Sequence, residues 1–145
     1  SGQSSPVATH LIKRATRAAL GKDASLSVFG QDYPTRDGSG VRDYIHVNDL
    51  IDAHLLALDH LQRQDGVEIF NCGYGRGYSV LEVIAATERV SDKALQVIMA
   101  DRRDGDPAEL VASSDRIRKI LGWTPKRDHL DQIINTALTW ENTLP

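Results

Sequence analysis

A chain of 145 residues suits one domain, or a substantial piece of one, and is long enough to bury a core. Its formal charge of −3, with 17 Lys/Arg and 20 Asp/Glu interspersed, leaves no basic footprint for nucleic acid. The single cysteine, Cys72, excludes an internal disulfide and fits a reducing cytoplasm; no signal peptide is visible, and no apolar run approaches the ~20 residues that cross a bilayer.

Residues 7–20 place Leu11, Ile12, Ala15, Ala18 and Ala19 on one helical face. Lys13, Arg14 and Arg17 lie mainly opposite, as a solvated basic surface, and Gly21 stands where a helix-ending glycine belongs. Residues 25–29 alternate polar and apolar side chains, the pattern of a short half-buried strand. Gly30, Pro34, Asp37, Gly38, Ser39 and Gly40 then form a dense cluster of turn formers. Beyond them Arg42 stands between Val41 and Asp43. Two readings fit that arginine: a guanidinium held by the loop for a phosphate or carboxylate, or an exposed side chain paired with Asp37 or Asp43. Residues 44–47 read as a second extended piece. Asp49 is placed to cap a helix whose buried face holds Val47, Leu50, Ile51, His54, Leu55 and Leu58, with His54 half-buried. His46 has no cysteine or second histidine at ligand spacing, so no metal site is indicated.

After a polar connection at 62–66, residues 67–72 read as a buried strand, with Cys72 a small hydrophobe at its end. The turn Gly73-Tyr74-Gly75-Arg76-Gly77-Tyr78-Ser79 has the spacing G-x-G-x-G, not the G-x-G-x-x-G of a dinucleotide turn. Ser79 and Glu82 instead form an S-x-x-E capping box, with Tyr78 and Val83 as its hydrophobic staple. The turn is read as a strand-to-helix connection, with phosphate binding as the alternative. Val80, Val83, Ile84, Thr87 and Val90 supply the buried face of the helix that follows. Residues 95–99 suit a strand and 101–106 a charged loop. Ser113 or Ser114 can cap a helix holding Ile117, Ile120 and Leu121, which Gly122 stops and Pro125 keeps from resuming. Asp128 is placed to cap a last helix that turns Leu130, Ile133, Ile134, Ala137 and Leu138 inward, and Trp123 and Trp140 read as core aromatics. Helices alternating with short strands make an α/β arrangement, with too few strands for a complete doubly wound sheet.

The run VFGQDYPTRDGSGVRDYIHVNDL, residues 28–50, closely resembles the C-terminal part of the UDP-glucose (UDP-galactose) 4-epimerases, sugar-nucleotide enzymes of the extended short-chain dehydrogenase/reductase family. Further matches follow in order at Asn71 with Gly73, at DRRDGDPAELVA, and at Leu121, Gly122 and Trp123. The resemblance covers nearly all of this chain and less than half of such an enzyme. It implies an α/β fold: the smaller C-terminal substrate-binding part of the family, residues 1–145 forming one such portion, without the N-terminal Rossmann domain. It further implies a cytoplasmic, homodimeric parent that interconverts UDP-galactose and UDP-glucose through a 4-keto intermediate with tightly bound NAD.

The family's Tyr-x-x-x-Lys pair and its Gly-x-x-Gly-x-x-Gly turn have no counterpart here. The residues four places after Tyr33, Tyr44, Tyr74 and Tyr78 are Asp37, Asn48, Tyr78 and Glu82. No catalytic residue, no bound cofactor and no turnover are therefore expected of this chain by itself. The resemblance assigns Arg42 and Arg103 to the substrate diphosphate and Asp106 to the ribose hydroxyls. It assigns the backbone from Ser27 to Phe29 to the uracil edge, and Leu11 to the wall of the same pocket. Spacing alone makes Arg102, Arg103, Asp104 and Asp106 a solvated loop. Two positions depart from the family: His10 replaces an asparagine that reaches the diphosphate, and Leu110 replaces a tyrosine found near the sugar in some bacterial enzymes. Two alternatives stay open. One is another extended-family epimerase acting on a UDP-pentose, UDP-hexuronate or UDP-N-acetylhexosamine; the other is a non-catalytic module that binds nucleotide sugars.

Overall fold

The computed structural model describes residues 2–5, 9–64 and 66–145; Val7, at the start of the first expected helix, and Asp65, in the polar connection, lie outside the described residues. The elements in chain order are α1 (Leu11–Ala19), β1 (Leu26–Phe29), β2 (Val41–Arg42), α2 (Val47–Leu61), β3 (Tyr78–Ser79), α3 (Val80–Ser91), β4 (Val97–Ala100), β5 (Glu109–Leu110), α4 (Asp115–Leu121) and α5 (Leu130–Asn142). Among the described residues the strands make two small sheets. β1 and β4 run parallel, from Leu26 opposite Val97 to Phe29 opposite Ala100. In the other sheet β2 lies between β3, antiparallel to it, and β5, parallel to it. The chain crosses from the first sheet to the second twice, through residues 30–40 and again through residues 101–108, and returns once between them through α3. Both crossings bridge the same gap.

Local rules account for three of the helix ends. Gly21, at φ 73°, takes the left-handed conformation just beyond α1, and its N–H donates to Ala18 O at 3.0 Å. Ser79 and Glu82 close a complete capping box on α3, with Tyr78 packed near Val83. Gly122, at φ 67°, ends α4. The alternation in β1 buries Leu26 and Val28 against Ala15 of α1 and Ile84 of α3. A neighbouring cluster joins α3 to α5 through Val83, Ala86, Leu130 and Ile134. A third, of Ala53, Ile117 and Trp123, ties α2 to α4 with help from Phe70, Cys72 and Tyr74.

Several expectations are corrected. The second strand falls at Val41–Arg42 and not at 44–47, because the Val41 and Asp43 N–H groups are spent on Ala108 O and Leu110 O while Val47 already begins α2. His46 caps α2, its Nδ1 accepting from Asn48 N at 3.1 Å. Asp49 is no cap; it sits fully buried in the first turn and accepts from the Lys126 and Arg127 backbone and the Tyr74 hydroxyl. The spacing of apolar residues on α2 is helical, but Ile51, Leu55 and Leu58 point outward, 50–58% exposed, His54 with them, while Asp49 and Ala53 face inward. Residues 67–72 form no ladder: Val67 and Ile69 are 93% and 76% exposed, and only the end of the segment, at Phe70 and Cys72, packs on the Trp123 cluster. A strand requires a neighbouring backbone, and none lies alongside among the described residues. α5 is capped by position at His129, not Asp128, and without a side-chain bond. Trp123 is core, donating its indole N–H to Asp49 O at 2.9 Å, whereas Trp140 is half-buried and reaches Gln3 O.

Candidate binding site

The site begins with the edge of β1 that faces away from β4 and carries no strand among the described residues. Leu26 and Gly30 give their N–H groups to Gln96 O and Ala100 O on the β4 side, at 2.8 and 2.9 Å. Strand groups alternate with a period of two, so Ser27 and Phe29 turn their N–H and C=O groups to the opposite edge. A cavity of about 510 Å³ lies there, within the usual range for small-molecule sites. Leu11, Ser27, Phe29, Arg42, Arg103 and Asp106 all line it.

Topology brings these distant residues together. Arg42 belongs to the middle strand of its sheet, held on one side by Val41 N to Ala108 O at 2.9 Å and on the other by β3. The preceding loop is stapled to the start of α3. Asp37 accepts from Ser39 N at 2.9 Å, from Ser39 Oγ at 2.7 Å and from the Ser79 hydroxyl, while Ser39 Oγ in turn accepts from Leu81 N at 3.3 Å. Arg36 pairs with Glu82, and Val80 N donates to Gly40 O at 3.0 Å. Burial pushes the Asp37 carboxyl upward, but the Ser79 and Ser39 hydrogen bonds outweigh it and leave its pKa below the ordinary value. Gly38, at φ 81°, makes the turn possible, since any side chain there would strike the Gln31 carbonyl.

Arg103 and Asp106 reach the cavity on the second crossing. A turn at Gly105, φ 80°, joins them through Asp106 N to Arg103 O at 3.3 Å. The Arg103 guanidinium lies 3.7 Å from the centre of the Phe29 ring, a cation–π contact that aims it at the β1 edge. Its neighbour Arg102 goes elsewhere, 4.3 Å over Tyr33 and bonded to Asp32 at 2.6 Å. Arg42 donates to Val41 O at 2.7 Å and stands 3.7 Å from Asp106. Asp37 and Asp43, the partners considered from sequence, are both engaged elsewhere. Asp43 accepts from Tyr74 N and Gly75 N, each at 3.0 Å. That bond set also decides the glycine-rich turn: the N–H groups that would cradle a phosphate already hold an internal carboxylate. Tyr44 stands close enough to feel Arg42, and its hydroxyl is pushed up to about 12 by burial, which Arg42 partly opposes.

Thr9, Arg14, Tyr33, Gly40, Tyr44 and Val80 also line the cavity, and sequence reasoning did not select them. One signal was available for Arg14: it lies one helical turn beyond Leu11, on the same flank of α1. The chemistry gathered here is three guanidinium groups, a carboxylate and a strand edge that is unpaired among the described residues, which suits a ligand carrying anionic groups, hydroxyls and a flat polar ring. Among the described residues no cluster of metal-ligating side chains occurs, and no helix is long and apolar enough to cross a membrane.

Residues 1–73 match the model of the NAD dependent epimerase/dehydratase family, and the chain belongs to that family. Its relatives narrow the picture. The UDP-glucose 4-epimerase of Azospirillum brasilense is 57% identical over 143 residues, which are 99% of this chain and 41% of that protein. Among solved structures, the UDP-Glc/GlcNAc 4-epimerase of Campylobacter jejuni superimposes with a TM-score of 0.84 at 47% identity, covering 97% of this chain and 43% of the other. The UDP-glucose 4-epimerase of Bifidobacterium longum, in complex with NAD+ and UDP, gives 0.87 at 38% identity over 94% and 40%. The chain thus matches UDP-glucose 4-epimerases along nearly its whole length while spanning less than half of theirs.

Proposed function

We propose that this chain is the C-terminal substrate-binding portion of a UDP-hexose 4-epimerase and that its cavity holds the nucleotide end of UDP-glucose or UDP-galactose. Arg42 and Arg103 grip the diphosphate, because planar guanidinium groups bond phosphate oxygens in pairs. Asp106 leaves Arg42 to the phosphate and accepts from the ribose hydroxyls. The unpaired edge at Ser27 and Phe29 offers one C=O and one N–H to the uracil ring, and Leu11 packs against it. The observation that carries this reading is the convergence of Arg42, Arg103 and Asp106, from two separate crossings, on one cavity beside that edge.

NAD, hydride transfer and proton transfer belong to the remainder of a full-length relative. The residues present do not fit the dinucleotide, since the glycine-rich turn spends its N–H groups on Asp43 and no tyrosine has a lysine four places on. The outward apolar face of α2 and the unpaired residues 67–72 are the surface on which that remainder packs. With half its cleft missing, the isolated chain binds UDP with a dissociation constant on the order of 1 mM, about −4 kcal/mol, and turns nothing over. Titration of UDP followed by amide NMR shifts tests this. Shifts are expected at Ser27, Phe29, Arg42 and Arg103, and Arg42→Ala weakens binding by about 1.5–3 kcal/mol, the range for a hydrogen bond to a charged group. Shifts confined to other surfaces, or unaltered affinity in Arg42→Ala, would remove the assignment.

A further inference from the structure

Arg14, read from sequence as part of a solvated face, lines the same cavity as Ser27 and Phe29. Its Nη1 lies 3.0 Å from Asp23 Oδ2, and the side chain stays 43% exposed. Asp23 is itself fixed by Arg17, whose Nε and Nη2 reach its carboxylate at 3.1–3.2 Å. Arg17 in turn meets the buried Glu141 at 3.4 Å. One end of the Arg14 guanidinium is therefore anchored by a carboxylate that cannot swing away, while its remaining N–H donors meet no acceptor among the described residues. Asp23 is shared with Arg17, so it fixes where Arg14 sits without neutralising both guanidinium groups, and Arg14 is assigned to a carbonyl of the ligand because another pair of arginines is available for a phosphate. Arg42 and Arg103 supply the cations for the latter.

A uracil ring presents acceptor, donor and acceptor in a row, as two carbonyls flanking an imide N–H. The β1 edge meets the N–H with one C=O and one of the carbonyls with one N–H. One carbonyl is left over. Resting on the nucleotide-binding role proposed above, we infer that Arg14 donates to this second carbonyl and so selects an imide-bearing base over one, such as adenine, that has no carbonyl.

The test is an NMR shift titration of the full chain with UDP, ADP and inorganic pyrophosphate, comparing Arg14 with Arg14→Met and Arg14→Lys. Methionine keeps the apolar stem, lysine keeps a donor, and a thermal melt of each variant verifies folding. In Arg14→Met the affinity for UDP falls about tenfold, the loss of one charge-assisted hydrogen bond, while affinity for pyrophosphate is unchanged and the preference for UDP over ADP shrinks by the same factor. Arg14→Lys recovers part of the loss. Equal weakening toward UDP and pyrophosphate makes Arg14 a phosphate ligand and overturns the inference, as does an unchanged preference for UDP over ADP. Failure of the underlying reading has a different signature: the unsubstituted chain then shows no UDP shifts around the cavity, which overturns both.

Discussion

Replacing Asp49 with alanine removes the acceptor on which α2, the 122–127 connection and the Tyr74 turn converge. Its Oδ2 takes Lys126 N at 3.1 Å, Arg127 N at 2.8 Å and the Tyr74 hydroxyl at 2.8 Å, and its Oδ1 lies 3.3 Å from Arg127 Nη1. Tyr74 keeps Arg127 O as an alternative acceptor at 3.1 Å, so the loss falls mainly on two backbone N–H groups and one guanidinium. Each orphaned donor costs about 1–3 kcal/mol, and the Arg127 guanidinium, 32% exposed, regains water when its partner is lost, so we expect a loss of about 2–4 kcal/mol. For a chain of this length that lowers Tm by about 10 °C, measured by calorimetry. Asp49→Asn keeps one oxygen for the backbone donors and loses roughly half as much. The acid limb gives an independent check. Burial pushes the Asp49 carboxyl up, but bonds from Arg127 N, Tyr74 and Lys126 N outweigh it, so the folded value lies below the ordinary one. The unfolded chain therefore binds this proton first as pH falls. The stabilisation is present above the unfolded value of about 3.9 and is lost as pH drops through the lower folded value. An Asp49→Ala Tm within about 2 °C of the parent, or superimposable acid profiles for the parent and Asp49→Asn, would refute this account.

Ser79→Ala removes both the α3 cap and a partner of Asp37; urea unfolding should show a loss of about 1–2 kcal/mol, with amide shifts spreading to Gly40 and Arg42. Gly73→Ala places a methyl 2.6 Å from Asp43 Oδ2 and 2.7 Å from the Ala112 side chain, and should cost about 1–3 kcal/mol in the same assay. Leu55→Glu lies on the outward face of α2, so stability should stay within about 0.5 kcal/mol while gel filtration shows less self-association at high concentration. A large stability loss there would mean that the apolar face is covered within this chain.

The parts of this fold legible in the sequence are those decided within a few residues. Ser79 and Glu82 cap α3 because the two groups are three residues apart, and Gly21 and Gly122 end their helices because the backbone there turns left-handed. The strand β1 showed itself by alternation. Asp49 misled because a carboxylate at a helix start looks like a cap, and only the arrival of Lys126 and Arg127 reveals its use. α2 had the right period and the wrong inward side, since periodicity names a stripe without naming what covers it. Residues 67–72 carry strand chemistry but find no strand beside them among the described residues.

By itself the sequence determined the helices, the glycine ends of α1 and α4, the capping box of α3, the turn-rich loop ahead of Arg42 and the kinship that nominated six residues for one pocket. Only the tertiary structure decided that Arg102 and Arg103 part ways, that Asp37 and Asp43 are already engaged, and that Arg14 joins the cavity. The physical reason is the range of the forces involved. Caps, turns and amphipathic periods are settled by neighbours along the chain. The partner of a long charged side chain is settled by whichever distant segment two separate sheet crossings bring within a few ångströms of it.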